Sequence, residues 1–169
     1  MNPVLSAGLL IGVGSAIWTF VMGATGWYKD PAMVRMFYLV ILFEVVGLVW
    51  GLRQTADEGR GYGSQIIAGT MIAIVAGVVI ICASLLFTTV VYTDYFSELE
   101  AMNRHALAQQ GMSPSEIDRT MRENAGFYTP MNSALQGFTW TLITGILASA
   151  IIAIWVRSRT PRPGPALQH

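Results

Sequence analysis

Residues 65–92 read QIIAGTMIAIVAGVVIICASLLFTTVVY and contain no charged side chain. A helix rises about 1.5 Å per residue, so about 20 apolar residues cross the roughly 30 Å hydrocarbon core of a bilayer. Unpaired backbone groups are costly in lipid, and a helix pairs them within a single segment. This stretch therefore predicts a membrane-spanning helix.

Three further stretches share this apolar character. They cover residues 4–27, 33–52 and 132–155. Charged residues make up 12% of the 169-residue chain, about half the share in an ordinary soluble domain. The sequence therefore predicts an all-α fold, a four-helix transmembrane bundle that forms one membrane domain over residues 1–155.

Residues 93–130 form the one large polar segment, between the third and fourth spans. Apolar residues recur in it twice at helical spacing, with Gly111 as a helix stop between them. Ser113, Pro114 and Glu116 match a capping box that starts the second helix. The segment is predicted to be an extramembrane amphipathic helical hairpin whose apolar faces pack locally. The first face is Tyr95, Leu99, Met102 and Ala106, and the second is Ile117, Met121 and Ala125.

The two ends of the chain are predicted to lie on one side of the membrane, because the number of spans is even. Arg157, Arg159 and Arg162 follow the last span closely, and cations near a span favour the cytoplasmic side. Both termini are therefore predicted to be cytoplasmic, with residues 93–130 outside. Residues 156–169 are rich in proline and are predicted to be a disordered cytoplasmic tail.

Glu44 lies near the middle of the second span, and no Lys, Arg or His lies at a comparable depth. A carboxylate at the bilayer centre costs about 2.5–3.5 kcal/mol, so it normally faces protein or water. One interpretation is a proton or cation site. The alternative is a neutral side chain that makes one interhelical hydrogen bond. Candidate partners are Ser15, Thr19, Ser84, Thr88, Gln136 and Thr144.

Two weaker patterns accompany Glu44. Asp94, Glu98 and His105 share a helix face, and acid and imidazole groups bind divalent metals. Their spacing differs from that of a tight two-histidine motif, and an ordinary solvated helix face explains them as well. The second pattern is the spacing of small residues at Gly8 and Gly12 and at Ala73 and Gly77. It permits close helix contact in a bundle or in a dimer.

Several short motifs carry a family resemblance. They are RGYG at residues 60–63 followed by Gly69, GMSPSEI at 111–117, LITGI at 142–146 and AIIAI at 150–154. The chain resembles a bacterial family of small membrane proteins, the Domain of Unknown Function 4199 family. The resemblance implies a four-span fold in the bacterial inner membrane, and it brings no activity, cofactor or catalytic residue.

Function is only broadly indicated. The formal net charge is zero, so no basic surface indicates a nucleic-acid partner. The sequence contains no phosphate-binding glycine loop, nucleophile elbow or metalloprotease helix, and neither a cofactor nor an enzyme activity is predicted. The favoured interpretation is a noncatalytic scaffold, accessory or regulatory subunit that contacts the lipid bilayer and a protein partner or a second copy of itself. The alternative is a small proton- or solute-coupled carrier that uses Glu44. A lipid-modifying enzyme using Asp94, Glu98 and His105 is a more distant third.

Overall fold

The structure is a computed structural model that describes residues 2–30 and 32–157. Its described part is helical and contains no strand, which confirms the predicted all-α fold. Six α-helices follow one another within these residues. They are α1 (Pro3–Thr25), α2 (Leu39–Asp57), α3 (Tyr62–Leu86), α4 (Tyr95–Gln109), α5 (Pro114–Glu123) and α6 (Pro130–Arg157).

Short helical turns complete the fold. Two of them lie between α1 and α2, one extends α3 as a π-helical turn, and one precedes α6. They are Trp27–Lys29, Val34–Tyr38, Phe87–Val91 and Ala125–Phe127.

In the part of the chain that the structure describes, four helical segments are long and apolar enough to cross a membrane, as the sequence predicted. They are Pro3–Thr25, Arg35–Asp57, Tyr62–Val91 and Pro130–Val156. The prediction of a four-span bundle is confirmed.

The largest difference in bounds concerns the second span, which was predicted to end at residue 52. Its helix continues to Asp57 because Thr55, although polar, is fully buried and donates a hydrogen bond to Gln65 Oε1 at 2.7 Å. The predicted tail also begins inside α6, because residues 156 and 157 are helical. The rest of that tail, 158–169, lies outside the described residues.

The four long helices form a ring in which α1 and α6 each contact both α2 and α3. We call the end of the ring that carries the connection between α2 and α3 the loop side. The opposite end, which carries α4 and α5, is the hairpin side. A cluster of small and aliphatic residues from α1, α2 and α3 forms the core near the loop side. It comprises Ala7, Ile11, Leu48, Leu52, Ala68, Ile72 and Ala76, and Ala148 and Ile152 of α6 pack against it.

The second span changes character along its length. Between Arg35 and Phe43 none of its described side chains is buried, whereas Glu44, Gly47, Leu48 and later residues lie inside the bundle. Its hairpin-side half is attached to α1 instead, where Trp18 Nε1 donates a hydrogen bond to Met36 O at 2.9 Å.

The helical hairpin between the third and fourth spans is present as predicted, but its first predicted packing face is only partly covered. Tyr95, Leu99 and Met102 are half-buried, whereas Ala106 is exposed near the end of α4. The capping box at the start of α5 is present, with Ser113 N donating to Glu116 Oε2 at 2.8 Å. Ile117 and Met121 are buried, as the predicted packing face requires. Ala125 differs, because α5 ends at Glu123 and Ala125 lies exposed in the following turn.

Candidate functional site

Glu44 is buried at the contact between α2 and α6, and only 4% of its surface is exposed. The hydroxyl of Thr144 in α6 donates a hydrogen bond to Glu44 Oε2 at 2.7 Å. The pair therefore joins two spans at the point where α2 enters the bundle. Of the six partners that the sequence indicated, the structure selects Thr144.

Small residues create the space for this carboxyl group. A Cβ added at Gly145 would lie 3.1 Å from Glu44 Oε1 and would collide with the side chain of Ala73. Glycine at position 145 thus lets α6 approach both α3 and the carboxyl group. The Glu44 site depends on the same close helix contact that stabilises the bundle.

The Thr144 hydroxyl has three acceptors within reach, of which the backbone oxygen of Thr141, at 3.3 Å, is the most distant. The hydroxyl lies 2.7 Å from Glu44 Oε2 and also 2.7 Å from the backbone oxygen of Trp140. A hydroxyl group has one proton to donate and two lone pairs that accept. It donates to Glu44 when the carboxyl group is ionised. When the carboxyl group is neutral, its O–H donates to Thr144, which then donates to Trp140. The pair has a hydrogen-bonded arrangement for either protonation state.

Glu44 Oε1 has no hydrogen-bond partner among the described residues. Within residues 2–30 and 32–157, the other buried side-chain polar atoms without a hydrogen-bond partner are Ser15 Oγ and Gln65 Nε2. Buried polar atoms are normally paired, so each such atom calls for an explanation. For Glu44, the free oxygen is a point at which a proton or a small donor could bind.

None of the other candidate partners hydrogen-bonds to Glu44 within the described ranges of the chain, and the two threonines are engaged within their own helices. Thr19 donates to the backbone oxygen of Ser15 at 3.0 Å, and Thr88 donates to that of Ser84 at 2.8 Å. Such bonds within one helix are common for threonine in spans. Gln136 is exposed on the outer surface of α6.

A second polar cluster fixes the hairpin to the bundle. Lys29 Nζ lies 2.8 Å from Glu98 of α4, and the hydroxyl of Tyr28 also donates to Glu98. The hydrogen bond from Lys29 is the main cause that lowers the pKa of Glu98 below its ordinary value. In turn, the bond to Glu98 raises the pKa of Lys29. This cluster ties the end of the first span to the start of the hairpin.

Aromatic rings surround this attachment. Phe87 at the end of the third span contacts Phe20, Tyr92 and Tyr95, with ring centroids 4.6–5.5 Å apart. Tyr95 of α4 also lies 5.3 Å from Tyr28. Ring pairs at such distances contribute about 0.5–1.5 kcal/mol each beyond their burial. The hairpin is thus held by apolar and polar contacts together.

Sequence reasoning did not identify the pairing of Lys29 with Glu98, which are 69 positions apart. The available signal was topological, because an even span count places Lys29 and the segment 93–130 on one side of the bundle. Lys29 is the only lysine of the chain, and acids are dense at the start of α4. Those two facts could have indicated the ion pair.

The three metal candidates are not assembled into a ligand set. Among the described residues, no group of three or more His, Cys, Asp or Glu side chains is close enough to hold a metal ion. Glu98 is engaged by Lys29 and Tyr28. Asp94 precedes α4, and His105 is exposed near its other end.

The small-residue pairs lie at contacts within the chain. A Cβ at Gly8 or Gly12 would collide with Val75 or Val79 of α3. On the opposite face of α3, a Cβ at Gly77 would collide with Phe138 of α6. Ala73 lies beside Gly145. The two spacings therefore serve the two faces on which α3 packs.

Comparison with known proteins gives one result. A family model described as "Protein of unknown function (DUF4199)" matches residues 6–158. Searches of curated proteins and of solved structures found no match. The matched region includes both helices of the hairpin, the Glu44–Thr144 pair and nearly all of the four long apolar helices. The chain therefore belongs to the DUF4199 family of proteins of unknown function.

Proposed function

We propose that the protein is a noncatalytic membrane subunit, with a scaffold, accessory or regulatory role, whose helical hairpin docks a protein partner. The observation that carries this proposal is the attachment of α4 to the bundle through Tyr28, Lys29 and Glu98. A surface that is ordered before binding loses less conformational entropy when a partner binds. The attachment gives the hairpin that advantage.

The hairpin is also braced internally. Arg104 of α4 lies 3.0 Å from Glu100 and 2.6 Å from Asp118 of α5. Beyond this bridge, Arg119 and Glu123 of α5 project into solvent, with about two thirds of each side chain exposed. A fixed surface of mixed charge favours a partner that has a polar surface of complementary charge, which supplies orientation and specificity.

The same proposal includes the location of the protein. We place it in the inner membrane of a bacterium, with both termini in the cytoplasm and residues 93–130 outside. Arginines close to the spans on the loop side support this orientation. Reporter fusions test it at two turns, Gly59 and Gly111, where a positive φ marks a tight connection. Alkaline phosphatase should be active at Gly111 and inactive at Gly59. The reverse pattern would contradict the orientation.

Docking is tested by site-specific cross-linking in intact cells. A photoreactive amino acid replaces Glu123 on the hairpin or, as a matched control, Asp57 on the loop side; both are exposed. We expect a single heavier adduct from position 123 and none from position 57. The adduct should weaken in a Glu98→Gln variant, because that change loosens α4. Equal labelling at both positions would contradict docking through the hairpin.

A second candidate is a small proton- or solute-coupled carrier centred on Glu44. Two observations favour it. Glu44 Oε1 has no hydrogen-bond partner within residues 2–30 and 32–157, and the hydrogen bond between Glu44 Oε2 and Thr144 accommodates both protonation states of the carboxyl group. Intramembrane carboxyl groups are frequent elements of proton pathways.

Glu44→Gln separates the two candidates. Glutamine has the same shape and keeps an oxygen for the Thr144 hydroxyl, but it cannot release a proton at neutral pH. For a docking subunit we expect unchanged folding, unchanged adducts from position 123 and unchanged growth. Loss of proton-driven uptake or of a pH-linked growth phenotype, with folding intact, would favour the carrier instead.

A further inference from the structure

Gln136 is a polar side chain on the outer surface of a span. It is exposed, and no hydrogen bond to it is found among the described residues. It lines a groove of about 510 Å³ on the lipid-facing side of α6, together with Phe127, Trp140 and Ile143. Of these, Trp140 is 65% exposed. Asn132 and Thr139 also line the groove, and each donates a hydrogen bond to a backbone oxygen of the same chain. The rest of the lining is apolar, so the Gln136 amide is the polar side chain there without a partner among the described residues.

Two measures place this amide within the hydrocarbon. Gln136 lies seven to eight residues from the midpoint of α6, or about 11 Å, whereas the hydrocarbon extends about 15 Å on either side of its centre. The neighbouring Gly137 faces Ile80 of α3. The third span continues eleven residues beyond Ile80, about 16 Å, before it ends at Val91. Both measures place Gln136 below the headgroups.

An amide at that depth needs a partner that lipid tails cannot supply. Polar side chains in spans usually face protein, where they hydrogen-bond across helices. A primary amide both donates and accepts, so it is complementary to an identical amide. Two copies inserted with the same topology carry Gln136 at equal depth. A second copy therefore supplies a hydrogen-bonding amide at the depth of Gln136. The ester groups of lipids lie nearer the interface.

We propose that the chain forms a parallel homodimer through α6, in which the Gln136 amides of the two copies hydrogen-bond to each other. The symmetry axis runs along the membrane normal, and Trp140 and Ile143 pack beside the amide pair. This contact lies on the lipid-facing surface of α6 and involves neither the hairpin surface nor Glu44. Its test is therefore independent of the proposed function.

Disulfide trapping of the full-length chain in membranes tests the contact. Cys82 is exposed, so the background variant is Cys82→Ala. Ile143→Cys places a reporter in the groove, and Ile17→Cys places a control on the lipid-facing surface of α1, where Ile17 is 60% exposed. With a mild oxidant, we expect dimers from the position 143 reporter and not from the position 17 control. Equal yields from the two positions would overturn the proposal.

Substitution of the amide supplies the second arm. Gln136→Leu should weaken the dimer by roughly 3- to 30-fold, the range for one interhelical hydrogen bond in a membrane. Gln136→Asn should stay within about threefold of the parent chain, because it keeps the amide. Analytical ultracentrifugation in detergent measures the dissociation constants, and thermal melts verify that each variant folds.

Other occupants of the groove give distinct results. A monomeric parent chain that co-purifies with lipid, which Gln136→Leu then releases, would overturn the dimer in favour of a lipid site. An adduct between the position 143 reporter and a different protein would also overturn it. A dimer that is insensitive to both Gln136 substitutions would show that the amide pair is not the contact.

Discussion

The loop side and the hairpin side of the bundle are stabilised in different ways. On the loop side, Gly8, Gly51 and Gly69 allow the helix backbones to approach closely around a core of small and aliphatic residues. On the hairpin side, aromatic rings and directional polar contacts fix the first and third spans to α4. There, the hairpin-side half of the second span buries none of its described side chains.

The difference shows two uses of packing in a membrane protein. Lipid tails are as apolar as leucine, so burial alone does not drive spans together, and close contact between small residues does. The loop side uses this mechanism. The hairpin side meets water and carries the hairpin, so ordinary aromatic burial, ion pairs and hydrogen bonds contribute there. Substitutions should therefore have different effects at the two ends.

The largest effect is expected from alanine at Gly8. Its Cβ would lie 2.8 Å from the backbone oxygen of Ile72, and a backbone atom in a helix cannot rotate away. Overpacking of this kind destabilises by about 1–3 kcal/mol. The matched control is Gly14 on the same helix, where the nearest atom would be 3.9 Å away. Unfolding in mixed micelles by a denaturing detergent measures both variants.

For Gly14→Ala we expect no loss in the free energy of unfolding. A gain of up to about 1 kcal/mol is expected because alanine has a higher helix propensity than glycine. Equal destabilisation of the two variants would remove the distinction between close-packed and open positions on α1. Loss of backbone flexibility, rather than collision with α3, would then explain why alanine is unfavourable at these glycine positions.

A smaller effect is expected at the Glu44–Thr144 pair, which lies between the two ends. Thr144→Val removes the hydroxyl that donates to Glu44 and leaves the carboxyl group without a partner among the described residues. We expect a loss of about 1–2 kcal/mol, because a buried polar group left unpaired retains its desolvation cost. The same unfolding assay measures the change.

Thr139→Val is the control for that prediction. Thr139 belongs to the same helix, and its hydroxyl donates to the backbone oxygen of Leu135. Its removal should change the free energy of unfolding by less than about 0.5 kcal/mol, as for other substitutions outside a buried network. If both valine variants were equally mild, the Glu44 pair would not contribute to the joining of α2 and α6.

The sequence predicted the apolar lengths well and the side-chain partners poorly. The number of spans follows from the thickness of hydrocarbon, and the start of α5 follows from Ser113, Pro114 and Glu116, which are local in sequence. Thr144 was one of six possible partners for Glu44, because depth along a helix is readable from sequence but rotation about its axis is not. The pairing of Lys29 with Glu98 depended on how far α4 folds back over the bundle.

The outward position of Gln136 was also not predictable, because it depends on the rotation of α6 about its axis. An amide in a span normally faces protein, which made Gln136 a reasonable partner for Glu44. The packing of α6 on α3 through Gly137 and Phe138 turns position 136 toward lipid instead. Packing of bulky and small residues thus overrides the preference of one polar side chain.

A local effect is expected at the start of α5 on the hairpin side. Ser113→Ala removes the capping hydroxyl, which lies 2.6 Å from Glu116 Oε2. Loss of a serine cap typically costs about 1 kcal/mol. We expect faster amide exchange in the first turn of α5, with no change in the spans, because the hairpin is outside the close-packed region. Faster exchange throughout α6 would contradict a local role.

The smallest effect is expected from pH at the attachment of α4. The pKa of Glu98 lies below its ordinary value of 4.5, chiefly because Lys29 donates a hydrogen bond to it. A lowered pKa contributes stability above pH 4.5, and this contribution is lost as the pH falls toward the lowered value. The pKa of Lys29 is raised above 10.5, so its contribution is lost only as the pH rises beyond that value.

Amide exchange of α4, corrected for its intrinsic dependence on pH, measures this attachment. Protection should be constant from about pH 5 to 10 and should fall below pH 4.5. In a Lys29→Met variant, protection should already be reduced at pH 7 and should change little on acidification. Glu123→Gln, on the far side of the hairpin, should behave like the parent chain. Acid-induced loosening that persists unchanged without Lys29 would assign the effect to the hydrogen bond from Tyr28 to Glu98 rather than to the ion pair. Protection that changes neither with acid nor in Lys29→Met would assign the hairpin-side attachment to the aromatic rings around Phe87.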